Sequence, residues 1–110
     1  MRLPNADQAW IPREKIVDYL LSMTHSVGSA KSKFFRGFGF GEHNTELLER
    51  GLLLIARSNE VRDMIESIFG SKYTVDGDLQ TPSGVVVSVR TVWIIEAGEE
   101  NPRFVTAYPA

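Results

Sequence analysis

The sequence predicts an α+β fold in which N-terminal helices pack on a C-terminal antiparallel meander of three to four strands. Up to Gly70 the apolar residues recur every three or four positions, the spacing that lines one face of a helix. After Gly70 they alternate with polar residues, and Val85–Ile95 is dense in β-branched and aromatic side chains, as a half-buried strand requires. No composition shift or Gly/Ser-rich linker interrupts this order. The 110 residues are therefore expected to form one domain, 1–110, around a modest core.

Pro12 suits the first turn of a helix and Glu14 the acidic position near its start. Ile16, Val17, Leu20 and Leu21 supply that helix's apolar stripe, which ends near Met23. Gly28-Ser29 opens a second, shorter helix with Ala30, Phe34 and Phe38 on one face and Lys31 and Arg36 elsewhere; glycines 37, 39 and 41 end it. Asn44 is placed to cap a third helix carrying Leu47, Leu48, Leu52, Leu54 and Ile55, with Arg57 near its end. Val61, Met64, Ile65, Ile68 and Phe69 repeat the helical spacing and predict a fourth helical segment, stopped by Gly70.

Tyr73, Val75 and Leu79 then alternate with Thr74, Asp76, Asp78 and Gln80, with Asp76-Gly77 as a tight turn or a bulge. Thr81-Pro82-Ser83-Gly84 reads as a turn. Glu96–Pro102 forms an acidic loop, and Arg103–Tyr108 a closing strand.

The chain is 43% hydrophobic and 24% charged, ordinary for a soluble globular protein, and it contains no cysteine, which removes disulfides and thiolate metal sites. The N-terminal residues form no apolar leader, and no run approaches the roughly 18 apolar residues of a membrane span. A cytoplasmic protein without a membrane partner is the expectation.

Net charge is −2, which disfavours a broad nucleic-acid-binding surface. Between Tyr19 and Gly41, however, Lys31, Lys33 and Arg36 stand without a single acid; the rest of the chain holds nine basic and fourteen acidic groups, or −5. Such a basic patch on an acidic body suits a local anion site.

Several motifs fail. Ala30-Lys31-Ser32 lacks the glycines of a phosphate-binding loop, and Gly37–Gly41 lacks the strand and helix of a dinucleotide fold. His25 and His43 have no zinc-like spacing. No cofactor and no metal are predicted.

Two clusters remain as candidate sites. His25 titrates near neutrality and can serve as a general base or acid beside Lys31, or it can simply cap the first helix. On the long strand Ser88 and Arg90 point away from the Val85, Val87, Val89, Trp93 and Ile95 face. On the last strand Phe104, Thr106 and Tyr108 share a face. A register that sets Arg90 opposite Tyr108 gathers Ser88, Arg90, Thr106 and Tyr108 into one polar patch; a slip of one residue scatters them.

Asp18-Tyr19-Leu20-Leu21, His25, Gly28, Lys31, Phe34-Phe35 and Gly39-Phe40, together with Val89–Glu96 and Asn101–Pro109, resemble an uncharacterised bacterial domain family. That family occurs alone and at the C-termini of polymorphic toxins. Its layout is similar to the barnase/EndoU/colicin/RelE-like ribonucleases. The resemblance implies a metal-independent endoribonuclease with His25, Lys31, Arg90, Thr106 and Tyr108 as catalytic residues, RNA as substrate, and a cognate immunity or antitoxin protein as partner. The alternative is a non-catalytic, immunity-like interaction module that binds through the Glu96–Asn101 loop and the Phe34–Phe40 run.

Overall fold

The computed structural model of the chain describes residues 1–22 and 29–110. Helix α1, Arg13–Lys15, begins directly after Pro12 and continues as a π-helical turn, Ile16–Leu20. Helix α2 spans Ser29–Gly37 and helix α3 spans Thr45–Ser58. Four strands follow, β1 Asp63–Ser67, β2 Gly70–Gln80, β3 Val86–Glu96 and β4 Arg103–Pro109, in one antiparallel meander ordered β1-β2-β3-β4. The expected α+β architecture of helices followed by an antiparallel meander is thus observed.

Helix α3 lies on β2. Its Leu48, Leu52, Ile55 and Ala56 are buried with Val75 and Leu79, whereas Leu47 and Leu54, expected on the same stripe, face outward. The close approach has a local cause. A Cβ at Gly77 would meet Asn59 Nδ2 at 2.5 Å and Ile55 Cγ2 at 2.9 Å, so a side chain there would push the helix off the strand. Gly77 therefore serves helix packing. It makes no turn, because β2 runs unbroken through Asp76 and Gly77, paired with Arg90 and Val89.

Trp93 and Phe104 meet edge to face with centroids 5.3 Å apart at the centre of the core. Thr91 is the buried polar residue between the strands: its hydroxyl donates to Val75 O at 2.7 Å and accepts from Trp93 Nε1 at 2.8 Å. Helix α2 buries Ser32 and Phe35, while Ala30, assigned to its apolar face from spacing, is exposed. Asn44 stands at the start of α3, yet its side chain ties back to the glycine loop, accepting from Gly41 N at 2.8 Å and donating to Gly39 O at 2.9 Å.

The predicted fourth helix is corrected. Residues 63–67 form β1, which pairs with β2 and closes through Ile68 and Phe69 at the Ser67↔Gly70 pair. Of the residues at that helical spacing, Val61 packs partly against the core, but Ile65, Ile68 and Phe69 are 64%, 87% and 71% exposed. Long β2 offers an unpaired edge to the segment immediately before it, and ladder hydrogen bonds decide the conformation there. The two sheet edges differ. The outer side of β4 is covered by the strand-like segment at Trp10, which donates to Pro102 O and accepts from Phe104 N. At β1 all five residues are exposed.

Candidate functional site

The register of β3 and β4 sets Arg90 opposite Tyr108 and Val92 opposite Thr106, the alignment that gathers the predicted polar residues. A bulge makes it possible. Val92 pairs with Thr106 but Trp93 pairs with Phe104, leaving Val105 as the extra residue. The bulge corrects the expected grouping of Phe104 with Thr106 and Tyr108. Phe104 turns into the core with Ala107, and Thr106 and Tyr108 share the opposite face with Arg90. Ser88 lies on this face too, further along, where its hydroxyl is 3.5 Å from Asp78.

Lys31 enters from α2. Its ammonium stands 6.0 Å from the Tyr108 ring centroid and 5.6 Å from that of Tyr19. Of the predicted site residues, Lys31, Arg90, Thr106 and Tyr108 therefore form one continuous patch. His25 lies outside the described residues.

Arg90 is engaged from the β2 side as well. Its Nε and Nη2 donate to the two carboxylate oxygens of Asp76 at 2.9 and 3.0 Å, and Arg62 adds a looser contact to the same carboxylate at 3.5 Å. This fork fixes the guanidinium plane beside Tyr108. It also neutralises part of the Arg90 charge, which leaves Lys31 as the stronger cation of the patch. The Arg90 hydrogen bonds hold the Asp76 carboxyl below the usual range against the opposing effect of its partial burial, and the charges of Arg90 and Arg62 act in the same sense.

Two residues absent from the sequence-based site complete the arrangement. Tyr19, on the π-helical turn, places Oη 3.1 Å from Thr106 Oγ1. Lys15, one turn earlier, puts its ammonium 4.8 Å from the Tyr19 centroid. Partial burial alone would push the Tyr19 phenol up. The hydrogen bonds with Thr106 and Lys31 and the charges of Lys31 and Lys15 together outweigh it, so the phenol lies below its ordinary value.

The rest of the basic segment does different work. Arg36 donates Nε and Nη2 to Leu21 O at 3.0 and 2.6 Å, reaches Ser32 Oγ at 3.2 Å, and forms a two-pronged ion pair with Glu42. It closes the carbonyl end of the first helical segment and ties it to the loop before α3. Lys33 is exposed, so Lys31 alone of the three cations joins the patch. The Phe34–Phe40 run is turned inward, with Phe35 and Phe40 buried and Phe34 and Phe38 half-buried. The β1–β2 hairpin, by contrast, exposes Ile65, Ile68 and Phe69, beside the acidic loop through the Ala97 N to Phe69 O bond.

Asp76 could have been found from the sequence. A hairpin closed around the Thr81–Gly84 turn at Gln80 and Val86 sets Asp76 opposite Arg90. Tyr19 carried a fainter signal, a lysine four residues earlier on a helix, which places cation and ring on one face. Its meeting with Thr106 across 87 residues has no local signature.

Among curated proteins, none matches this sequence. Among solved structures, a chain of the contact-dependent growth inhibition toxin–immunity protein complex from Klebsiella pneumoniae 342 is similar in fold. The TM-score is 0.69 at 16% identity, over 94% of this chain and 95% of that one. The model of the family described as Domain of unknown function (DUF6883) matches residues 2–110. By that match, spanning nearly its whole length, the chain belongs to the DUF6883 family.

Proposed function

We propose that the protein is a toxin-like domain that cleaves RNA without a metal ion. The observation that carries this reading is the convergence of Lys31, Arg90, Thr106 and Tyr108, from three separate elements, on one face beside the β4 bulge. Cleavage directed by the ribose 2′-hydroxyl needs a base for that hydroxyl, cations for the charge that grows on phosphorus oxygens, and an acid for the departing oxygen. His25 takes the base or acid role. Lys31 stabilises phosphate charge, with Arg90 held alongside by Asp76, and Thr106 and Tyr108 position the substrate. The similarity in fold to a chain of a toxin–immunity complex supports a toxin-like role and, with it, a cognate immunity or antitoxin protein as partner. The test is incubation of total RNA and tRNA with purified protein in excess EDTA, beside His25→Ala. Fragments from the wild type alone support the reading, and intact RNA at high protein concentration removes it.

A second reading, a non-catalytic interaction module, is favoured by one feature, the exposed β1 strand and its hairpin with Ile65, Ile68 and Phe69. It predicts stable oligomerisation or co-purification with a partner, without any effect on RNA. Ile68→Asp would abolish that association and leave the melting temperature unchanged. RNA cleavage by a protein that shows no such association would dismiss it.

A further inference from the structure

Tyr19 is placed in a way that packing alone does not require. It sits in the π-helical turn Ile16–Leu20, closed by the Leu21 N to Ile16 O bond of 2.9 Å. Such turns are rare and recur at functional sites because the extra residue re-aims a side chain. Here the phenol oxygen lies 3.1 Å from the Thr106 hydroxyl, inside the candidate patch. Ammonium groups approach its ring from two elements, Lys15 at 4.8 Å and Lys31 at 5.6 Å. Both ammonium groups stand within cation–π range of the ring, and each favours negative charge that develops on the phenol oxygen.

We propose that Tyr19 is a catalytic residue of this site: its phenol gives a proton to the departing 5′-oxygen, Thr106 aligns its hydroxyl, and Lys15 and Lys31 stabilise the tyrosinate that remains. The inference rests on the ribonuclease reading above and adds the acid to it. In the step, the 2′-hydroxyl loses its proton to the base of that reading, and the 2′-oxygen bonds to phosphorus. The bond from phosphorus to the 5′-oxygen breaks, its electron pair goes to that oxygen, and the oxygen takes the Tyr19 proton. The products are a 2′,3′-cyclic phosphate and a 5′-hydroxyl. Tyrosinate then recovers a proton from water and the protonated base loses one, restoring the site. The lowered phenol affinity for its proton agrees with this role, since it makes Tyr19 a stronger acid than a free tyrosine.

The experiment compares wild type and Tyr19→Phe on two oligoribonucleotides, one natural and one with sulfur replacing the departing 5′-oxygen. Sulfur leaves without being protonated. The expected result is a loss of about 100-fold or more on the natural substrate, the scale of general-acid catalysis, and little loss on the sulfur substrate. Equal losses on both substrates would make Tyr19 structural and overturn the role, as would wild-type rates on both. If wild-type protein cleaves neither substrate, the ribonuclease reading itself falls and the role falls with it. Ultraviolet difference titration of wild type against Tyr19→Phe gives a readout apart from turnover. A phenol titrating below the ordinary value of about 10 is expected, moving upward in Lys31→Met. A phenol titrating at or above that value overturns the proposal.

Discussion

Thr91→Val is a sharp probe of how the sheet beneath the site is held. Valine has nearly the shape of threonine, so the change opens no cavity and isolates the hydroxyl. That hydroxyl is fully buried and makes two bonds, to Val75 O at 2.7 Å and from Trp93 Nε1 at 2.8 Å. Its loss strands a buried indole N–H, at about 1–3 kcal/mol, and removes a second bond worth about 0.5–1.5 kcal/mol. The added methyl recovers part of this, leaving a net destabilisation of about 2–3 kcal/mol. Unfolding entropy is about 2.1 cal/mol/K per residue. For 110 residues the melting temperature should therefore fall by about 9–13 °C. Urea unfolding and calorimetry measure both quantities. Trp93→Phe and the double variant complete a cycle, in which a coupling of about 1 kcal/mol or more between the two positions is expected. A Thr91→Val loss below about 0.5 kcal/mol, or strict additivity, would refute the reasoning.

Other consequences can be measured on the same protein. Gly77→Ala forces a methyl against Asn59 and Ile55 and should cost about 1–3 kcal/mol in urea unfolding; wild-type stability would mean that the helix can stand further from the strand. The Arg36 hydrogen bonds, with lesser help from a backbone bond and from charge, hold the Glu42 carboxyl at about 2. Because that value is depressed, the pair stabilises the fold above the ordinary carboxylate range, and its contribution fades as pH falls toward about 2. Glu42→Gln should flatten this acid limb, and identical acid limbs in both proteins would show that the pair contributes nothing. Arg90→Ala should lower RNA cleavage by about 10-fold or more. Its stability cost should be small, since the ion pair is partly exposed and Asp76 keeps Arg62 at 3.5 Å. A large stability loss without a rate effect would assign Arg90 to the fold alone.

The change of apolar period at Gly70 was enough to place helices before strands, and the turn at Thr81–Gly84 was enough to place the β2–β3 hairpin. Periodicity misled where no core lay behind it. Residues 61–69 repeat at helical spacing, yet residues 63–67 form an exposed edge strand because β2 supplies a partner next door. The grouping of Arg90 with Tyr108 was legible as one of two registers. The neighbouring choice, Phe104, was not, because a single bulged residue at Val105 reverses the faces on either side of it. Arg36 looked like part of an anion patch because the sequence shows its charge and hides its partners, Leu21 O and Glu42. Tyr19 lay beyond reach for a related reason. Its role depends on a contact between the first helical segment and the last strand, and no local spacing encodes that meeting.

The proposed reaction requires a ribose 2′-hydroxyl. The most direct test is an oligodeoxynucleotide carrying one internal ribonucleotide, incubated with the protein in excess EDTA beside its all-deoxy counterpart. The expected result is a single cut on the 3′ side of the ribonucleotide, a 2′,3′-cyclic phosphate and a 5′-hydroxyl at the ends, and an untouched all-deoxy strand. Cutting of both strands, or of neither, would contradict it.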